Sequence, residues 1–245
     1  MQNTPTKPGG TAPDLELVVW HLTDSALPTG SFAHSAGMEM YLQRDVVTDP
    51  DTYSEWLNGY IRELSANEGL IARFACEIAR AAEGHAEEAY AQIELLDQMA
   101  AAAIVPKQVR ASMASMGKRM SKIAAIVLPG EPLVEFYQEG LNDDRFHGNP
   151  AIVFGLALGS AGADVLTTVR AFLMQQATSM TQNAIRGIPL GQDAGQRVLT
   201  ASYPAIREAA AHTMELTELD LGAASPGIEL AQMAHEGLHA RMFMS

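Results

Sequence analysis

From Leu15 onward, nearly every stretch of this chain repeats its apolar residues at helical spacing, and short breaks cut the pattern. Ala, Leu, Met, Glu and Gln dominate between the breaks, and there is no sustained strand-type alternation. The breaks fall at Leu27–Gly30, Thr48–Asp51, Gly84, Pro106, Pro129–Pro132, Asn142–Pro150, Gly187–Gly191 and Leu221–Gly227. This punctuation predicts an all-α, single-domain bundle of roughly ten helices joined by short loops. With 245 residues, the chain can bury a full core. Residues 1–13, rich in Pro, Gly and Thr, read as a flexible arm. Residues 14–225 read as the helical domain, and 226–245 as a C-terminal partner-binding helix and tail that orders on binding its partner.

Charge and composition exclude several functions. A net charge of -13 argues against a nucleic-acid surface, which must be basic to displace counterions. The single cysteine, Cys76, excludes an intrachain disulfide framework, and its apolar helical context reads as a buried structural thiol. The N-terminus has no apolar signal core, and the uncharged run Ala151–Ala163 is too short to span a membrane. A cytoplasmic protein without a membrane or nucleic-acid partner is expected.

Within that run, Gly155 and Gly159, followed by Ser160 and Gly162, put small residues on one helix face and predict close helix packing. Elsewhere, charge is partitioned. Residues 83–97 carry Glu83, Glu87, Glu88, Glu94 and Asp97 with no Lys or Arg. Residues 107–122 carry Lys107, Arg110, Lys118, Arg119 and Lys122 with no acid. An antiparallel pair turning at Pro106 would set the acidic start of the first helix beside the basic end of the second, which also suits both macrodipoles. The alternative is a basic end that docks an acidic partner. Met113, Met116 and Met120 recur at helical spacing and read as core filling.

Three motifs carry the functional reading. In the first, residues 22–42, a helix runs into Pro28, turns through Thr29 and Gly30, and restarts at Ser31 with His34, Ser35 and Glu39 inside it. Gly37 in mid-helix costs about 1 kcal/mol relative to Ala, so a close approach is expected there. A satisfied core histidine accounts for His34, with Ser35 or Glu39 as its partner. The second motif, Arg186 to Gln196, has glycines but no following Lys-Ser or Lys-Thr and no preceding strand, so it does not read as a nucleotide loop. A helix stop at Gly187, a turn at Pro189 and a restart near Asp193 would hold Arg186, Gln192 and Gln196 near the loop. The third motif is His235-Glu236-Gly237-Leu238-His239, which matches the H-E-x-x-H of zinc peptidases. No His, Asp or Glu follows to supply a third ligand, and Gly237 near a chain end makes a poor rigid second shell. A helical zinc metallo-hydrolase using His235, Glu236 and His239 is therefore a secondary reading, as is a generic helical scaffold. No Ser-His-Asp or Cys-His arrangement stands out. His147 reads as a loop or capping residue.

Together the motifs resemble the UreF family of urease accessory proteins, along nearly the whole chain after the arm. Ser25 to Glu39 is similar to S-x-x-P-x-G-x-F-x-H-S-x-G-x-E, through Pro28, Gly30, Phe32, His34, Ser35, Gly37 and Glu39. Arg186 to Gln196 resembles R-x-x-P-L-G-Q-x-x-G-Q. The tail resembles H-E-x-L-x-x-R-x-F-x-S, through His235, Glu236, Leu238, Arg241, Phe243 and Ser245. Met38 stands for the usual leucine, Met244 for a frequent arginine, and Gln108 near an expected glutamate. The resemblance implies a non-catalytic, homodimeric chaperone subunit with no tightly bound cofactor. It also implies a bridge between a UreD/UreH-type partner and a UreG-type GTPase that binds GTP, with nickel delivered to apo-urease. Partner contacts would fall on the motif residues.

Overall fold

Proline and acidic caps start the helices where the breaks were read. The computed structural model describes residues 13–31, 34–223, 225–239 and 241–244. Its α-helices are α1 (Leu15–Thr23), α2 (Met38–Gln43), α3 (Pro50–Ser65), α4 (Glu68–Ala81), α5 (Ala86–Ala103), α6 (Lys107–Val127), α7 (Pro132–Asn142), α8 (Pro150–Ser160), α9 (Val165–Gly187), α10 (Gln192–Ala201), α11 (Tyr203–Thr213) and α12 (Pro226–His235). A short 3-10 turn covers Glu218–Asp220, and no strand occurs among the described residues. Asp49 and Thr52 form a capping box ahead of α3. Asn149 accepts from the Ala151 amide ahead of α8, and Asp164 from that of Thr167 ahead of α9. In α3, α7, α8 and α12 the first residue is a proline, where a missing N–H costs nothing.

Helix α8 lies at the centre, against α4, α6, α7 and α9. Its glycines let it reach the α4 backbone. A Cβ on Gly155 would stand 2.3 Å from the Ala72 carbonyl, and one on Gly159 would stand 2.8 Å from that of Cys76. The expected close packing is therefore present. Cys76 is fully buried, with its Sγ 3.3 Å from Thr168 Oγ1, and burial raises its thiol pKa. Around this seam a single apolar core runs from Val18 to Ala210. No described helix is long and apolar enough to cross a membrane.

The expected all-α bundle of roughly ten helices is present, with twelve among the described residues because three further breaks occur. The chain turns between α3 and α4 at Ala66–Asn67 without Gly or Pro, between α8 and α9 inside the apolar run, where Gly162 takes φ +95°, and between α10 and α11 at Ser202. Other expectations are corrected. The acidic and basic helices do not form an antiparallel pair. Helix α5 packs on α4 and α7, α6 packs on α7, α8 and α12, and α7 flanks both. Asp97 is not part of a solvated acidic face. It is buried, accepts from Tyr137 Oη at 2.6 Å and from the amides of His147 and Gly148 at 2.7 and 3.0 Å, and so ties down the loop before α8. Met116 and Met120 are buried as expected, and Met113 is half-buried.

Candidate functional site

The opening motif is not one helix restarting at Ser31. Helix α1 ends at Thr23, and α2 begins only at Met38, so His34 and Ser35 lie in irregular chain. Gly37 is the residue before α2, with φ +84°, a left-handed conformation that side chains other than glycine's rarely adopt. The close approach expected at Gly37 is real: a Cβ there would meet Gln232 of α12 at 3.1 Å. That approach lets α12 lie along α2.

Glu39, in the first turn of α2, is 2 % exposed and carries the site. Its Oε2 accepts from His235 Nε2 at 2.7 Å and from the Phe243 amide at 3.0 Å. Its Oε1 accepts from the Met242 amide at 2.6 Å. One carboxylate thus holds both the last residue of α12 and the tail beyond it. Such bonds are charge-assisted, and a buried carboxylate with several donors is satisfied where a lone one would not be. The neighbouring backbone joins in: the Ser35 amide donates to the Met244 carbonyl at 2.8 Å, and His34 and Met244 form a parallel bridge.

The second motif closes the other side. Asn183 Nδ2 donates to the His34 carbonyl at 2.7 Å, and Arg186 bonds the Asn183 side-chain oxygen. The Arg186 guanidinium lies 5.1 Å from the centre of the Phe243 ring. Gly187 leaves room for that ring, since its Cβ would stand 3.4 Å from Phe243 Cε2 and 2.7 Å from Leu42 Cδ1. Phe243 is thereby buried, while Met242 and Met244 on either side are 61 % and 59 % exposed.

His34 does not pair with Ser35 or Glu39. Its Nδ1 accepts from the Ala36 amide at 3.3 Å, which puts the ring proton on Nε2. Burial, and secondarily the nearby His235, push its pKa down to about 4. The ring lines a cavity of about 40 Å3 shared with Tyr60, Glu68, Met116 and Met120.

The structure brings His34, Ser35, Glu39, Arg186, His235 and Phe243 into one cluster, and it leaves other motif residues apart. Gln192 and Gln196 lie exposed on α10. Pro28 and Gly30 are exposed on the turn, where the Pro28 carbonyl accepts from Arg119 Nε at 3.0 Å. Arg241 folds back onto the Glu236 and Leu238 carbonyls at 2.5 and 3.2 Å, closing the end of α12. Phe32 and Ser245 lie outside the described residues.

The zinc reading fails on geometry. Helix α12 ends at His235, which is fully buried and bound to Glu39, whereas His239 is exposed in a bend beyond it. The two imidazoles do not share a helical face. Among the described residues, no group of three or more His, Cys, Asp or Glu side chains is placed to hold a metal. Sequence reasoning missed Asn183, which stands outside the second motif, and the Glu39–His235 pair, whose members are 196 residues apart.

Fold and site together define an all-helical protein whose motif residues close a clamp on their own C-terminal tail. The UreF family model matches residues 47–203, from just before α3 to the start of α11, and so includes Asn183 and Arg186 of the clamp. A urease accessory protein UreF of Paenarthrobacter aurescens strain TC1 is 39 % identical over 231 residues, covering 94 % of this chain and 98 % of that one. Another from Arthrobacter sp. strain FB24 is 38 % identical over 94 % of this chain and 97 % of its own length. The chain belongs to the UreF family.

Proposed function

We propose that this chain is a urease accessory protein, a non-catalytic subunit that acts in urease maturation. In this reading it is a homodimer in the cytoplasm and bridges a UreD/UreH-type protein and a UreG-type GTPase. The GTPase binds GTP, and nickel passes to apo-urease as the cargo of the assembly. Family membership supports the setting.

The observation that carries the docking role is the clamp. Glu39 and Arg186 fix the tail so that Phe243 points in while Met242 and Met244 point out. On α12, Leu230 and Met233 are exposed as well, about one turn apart on one face. Exposed large apolar side chains held on a fixed backbone are what an interface needs, because the partner meets an ordered surface and less ordering entropy is lost. His34, Ser35 and Glu39 are buried, so in this reading they act on a partner through the tail they hold. Arg186, Gln192 and Gln196 border the same end of the molecule through α9 and α10.

Deletion of Leu238–Ser245 is expected to abolish co-purification with the UreD-type partner while the helical circular-dichroism signal persists. Undiminished co-purification by the shortened chain would refute the role of the tail. Nickel-dependent urease activation in cells, with Arg186→Ala and Gln192→Ala, tests the second motif, and full activation by both would remove it from the docking surface.

A further inference from the structure

The acidic helix α5 and the basic helix α6 present a problem of placement. Glu87, Glu88 and Glu94 are exposed on α5, with Glu83 just ahead of it, and α5 holds no Lys or Arg. Lys107, Lys118 and Lys122 are exposed on α6, which holds no acid. The two arginines of α6 are used within the chain: Arg110 bonds the carbonyls of Ile104 and Val105, and Arg119 that of Pro28. The three lysines and the glutamates of α5 are not so used. The ion pairs among the described residues are Arg73–Glu77, Arg145–Asp143 and His235–Glu39. Complementary faces adjacent in sequence are thus kept apart by α7, which packs on both.

Each face also carries apolar surface. Leu95 on α5 is 57 % exposed beside a groove of about 300 Å3 lined by Phe74, Ile78, Leu96 and Met99. Ile126 on α6, one turn beyond Lys122, is 76 % exposed.

We infer that the occupant of the α5 face is the α6 face of a second copy of this chain, and the reverse, about a two-fold axis. A two-fold contact is self-complementary, so one chain carrying both halves of a charge match satisfies it twice. Leu95 with its groove, and Ile126, would be covered in the same step. Helices of 18 and 21 residues are about 27 and 31 Å long. Two such helices from each copy can supply the roughly 1,200–2,000 Å2 of a stable interface. The inference rests on the homodimer reading above and names its surface.

The test is a charge exchange, read by sedimentation equilibrium of the full-length protein, with circular dichroism as the folding control. One variant carries Glu87→Lys, Glu88→Lys and Glu94→Lys, and the other carries Lys107→Glu, Lys118→Glu and Lys122→Glu. All six positions are exposed, so both variants are expected to fold. Each alone should be monomeric at concentrations where the unaltered chain is a dimer. An equimolar mixture should form a heterodimer, because each reversed face then meets its opposite. The unaltered dimer should also weaken at least about tenfold between ~0.05 and ~0.5 M salt. If both variants dimerise as the unaltered chain does, the interface lies elsewhere and this inference falls while the homodimer reading stands. If the unaltered chain is monomeric throughout, both fall. A mixture that fails to pair also overturns the inference.

Discussion

The α4–α8 seam and the tail clamp both bring backbone segments into close contact, by opposite chemistry. The seam does it by omission: Gly155 and Gly159 remove side chains so that two helices meet along apolar surface. The clamp does it by addition, with a buried carboxylate, a buried imidazole and an arginine that hold the tail through hydrogen bonds. Tight apolar contact is non-directional and indifferent to protonation, whereas a charged hydrogen-bond cluster is directional and costly when incomplete. The difference suits a protein with a fixed body and a presented end.

The largest effect should come from the seam. Gly155→Val drives a side chain into the Ala72 carbonyl and is expected to cost at least about 3 kcal/mol in urea unfolding, or to prevent folding. A loss under about 1 kcal/mol would mean the seam is looser than the structure shows.

The clamp, unlike the seam, should respond to pH. The folded His34 pKa of about 4 lies below its ordinary value of 6.5, so the unfolded chain binds more protons between the two. Stability from this group is complete above pH 6.5 and is lost as pH falls towards 4, on the order of 3 kcal/mol in all. Glu68, in the same cavity, acts the other way: burial raises its carboxyl, so its share is lost as pH rises. The difference between the unaltered chain and His34→Gln in urea unfolding from pH 7 to 4 isolates His34. Equal slopes would place His34 in contact with water.

Smaller effects divide the clamp further. Glu39→Gln removes the charge while keeping the shape, and should cost about 2 kcal/mol in urea unfolding. Arg186→Ala removes the cation over Phe243 and should cost about 1 kcal/mol or less. An Arg186 effect larger than that of Glu39 would invert their assigned weights.

Much of the body was legible in the sequence because Pro, Gly and capping residues act locally. Pro50, Pro132, Pro150 and Pro226 all open helices where breaks were read. The turn at Ala66–Asn67 was invisible because neither residue forces a stop. Gly37 was legible as a close approach but not as a left-handed residue before a helix, since spacing does not report φ. The motifs were legible one by one, and their meeting was not. Nothing local joins Glu39 to His235, or Arg186 to Phe243. Asp97 was misread for the same reason: its partners Tyr137, His147 and Gly148 lie beyond the adjoining helix.

The clamp requires that the tail be held by Glu39 within the chain itself. Amide hydrogen exchange at Met242 and Phe243 in the isolated protein measures this directly. Both amides donate to Glu39. They should exchange at least about a hundredfold more slowly than an unfolded chain, and most of that protection should vanish in Glu39→Gln. Exchange at the unfolded rate in the unaltered protein, or protection that persists in Glu39→Gln, would contradict the clamp.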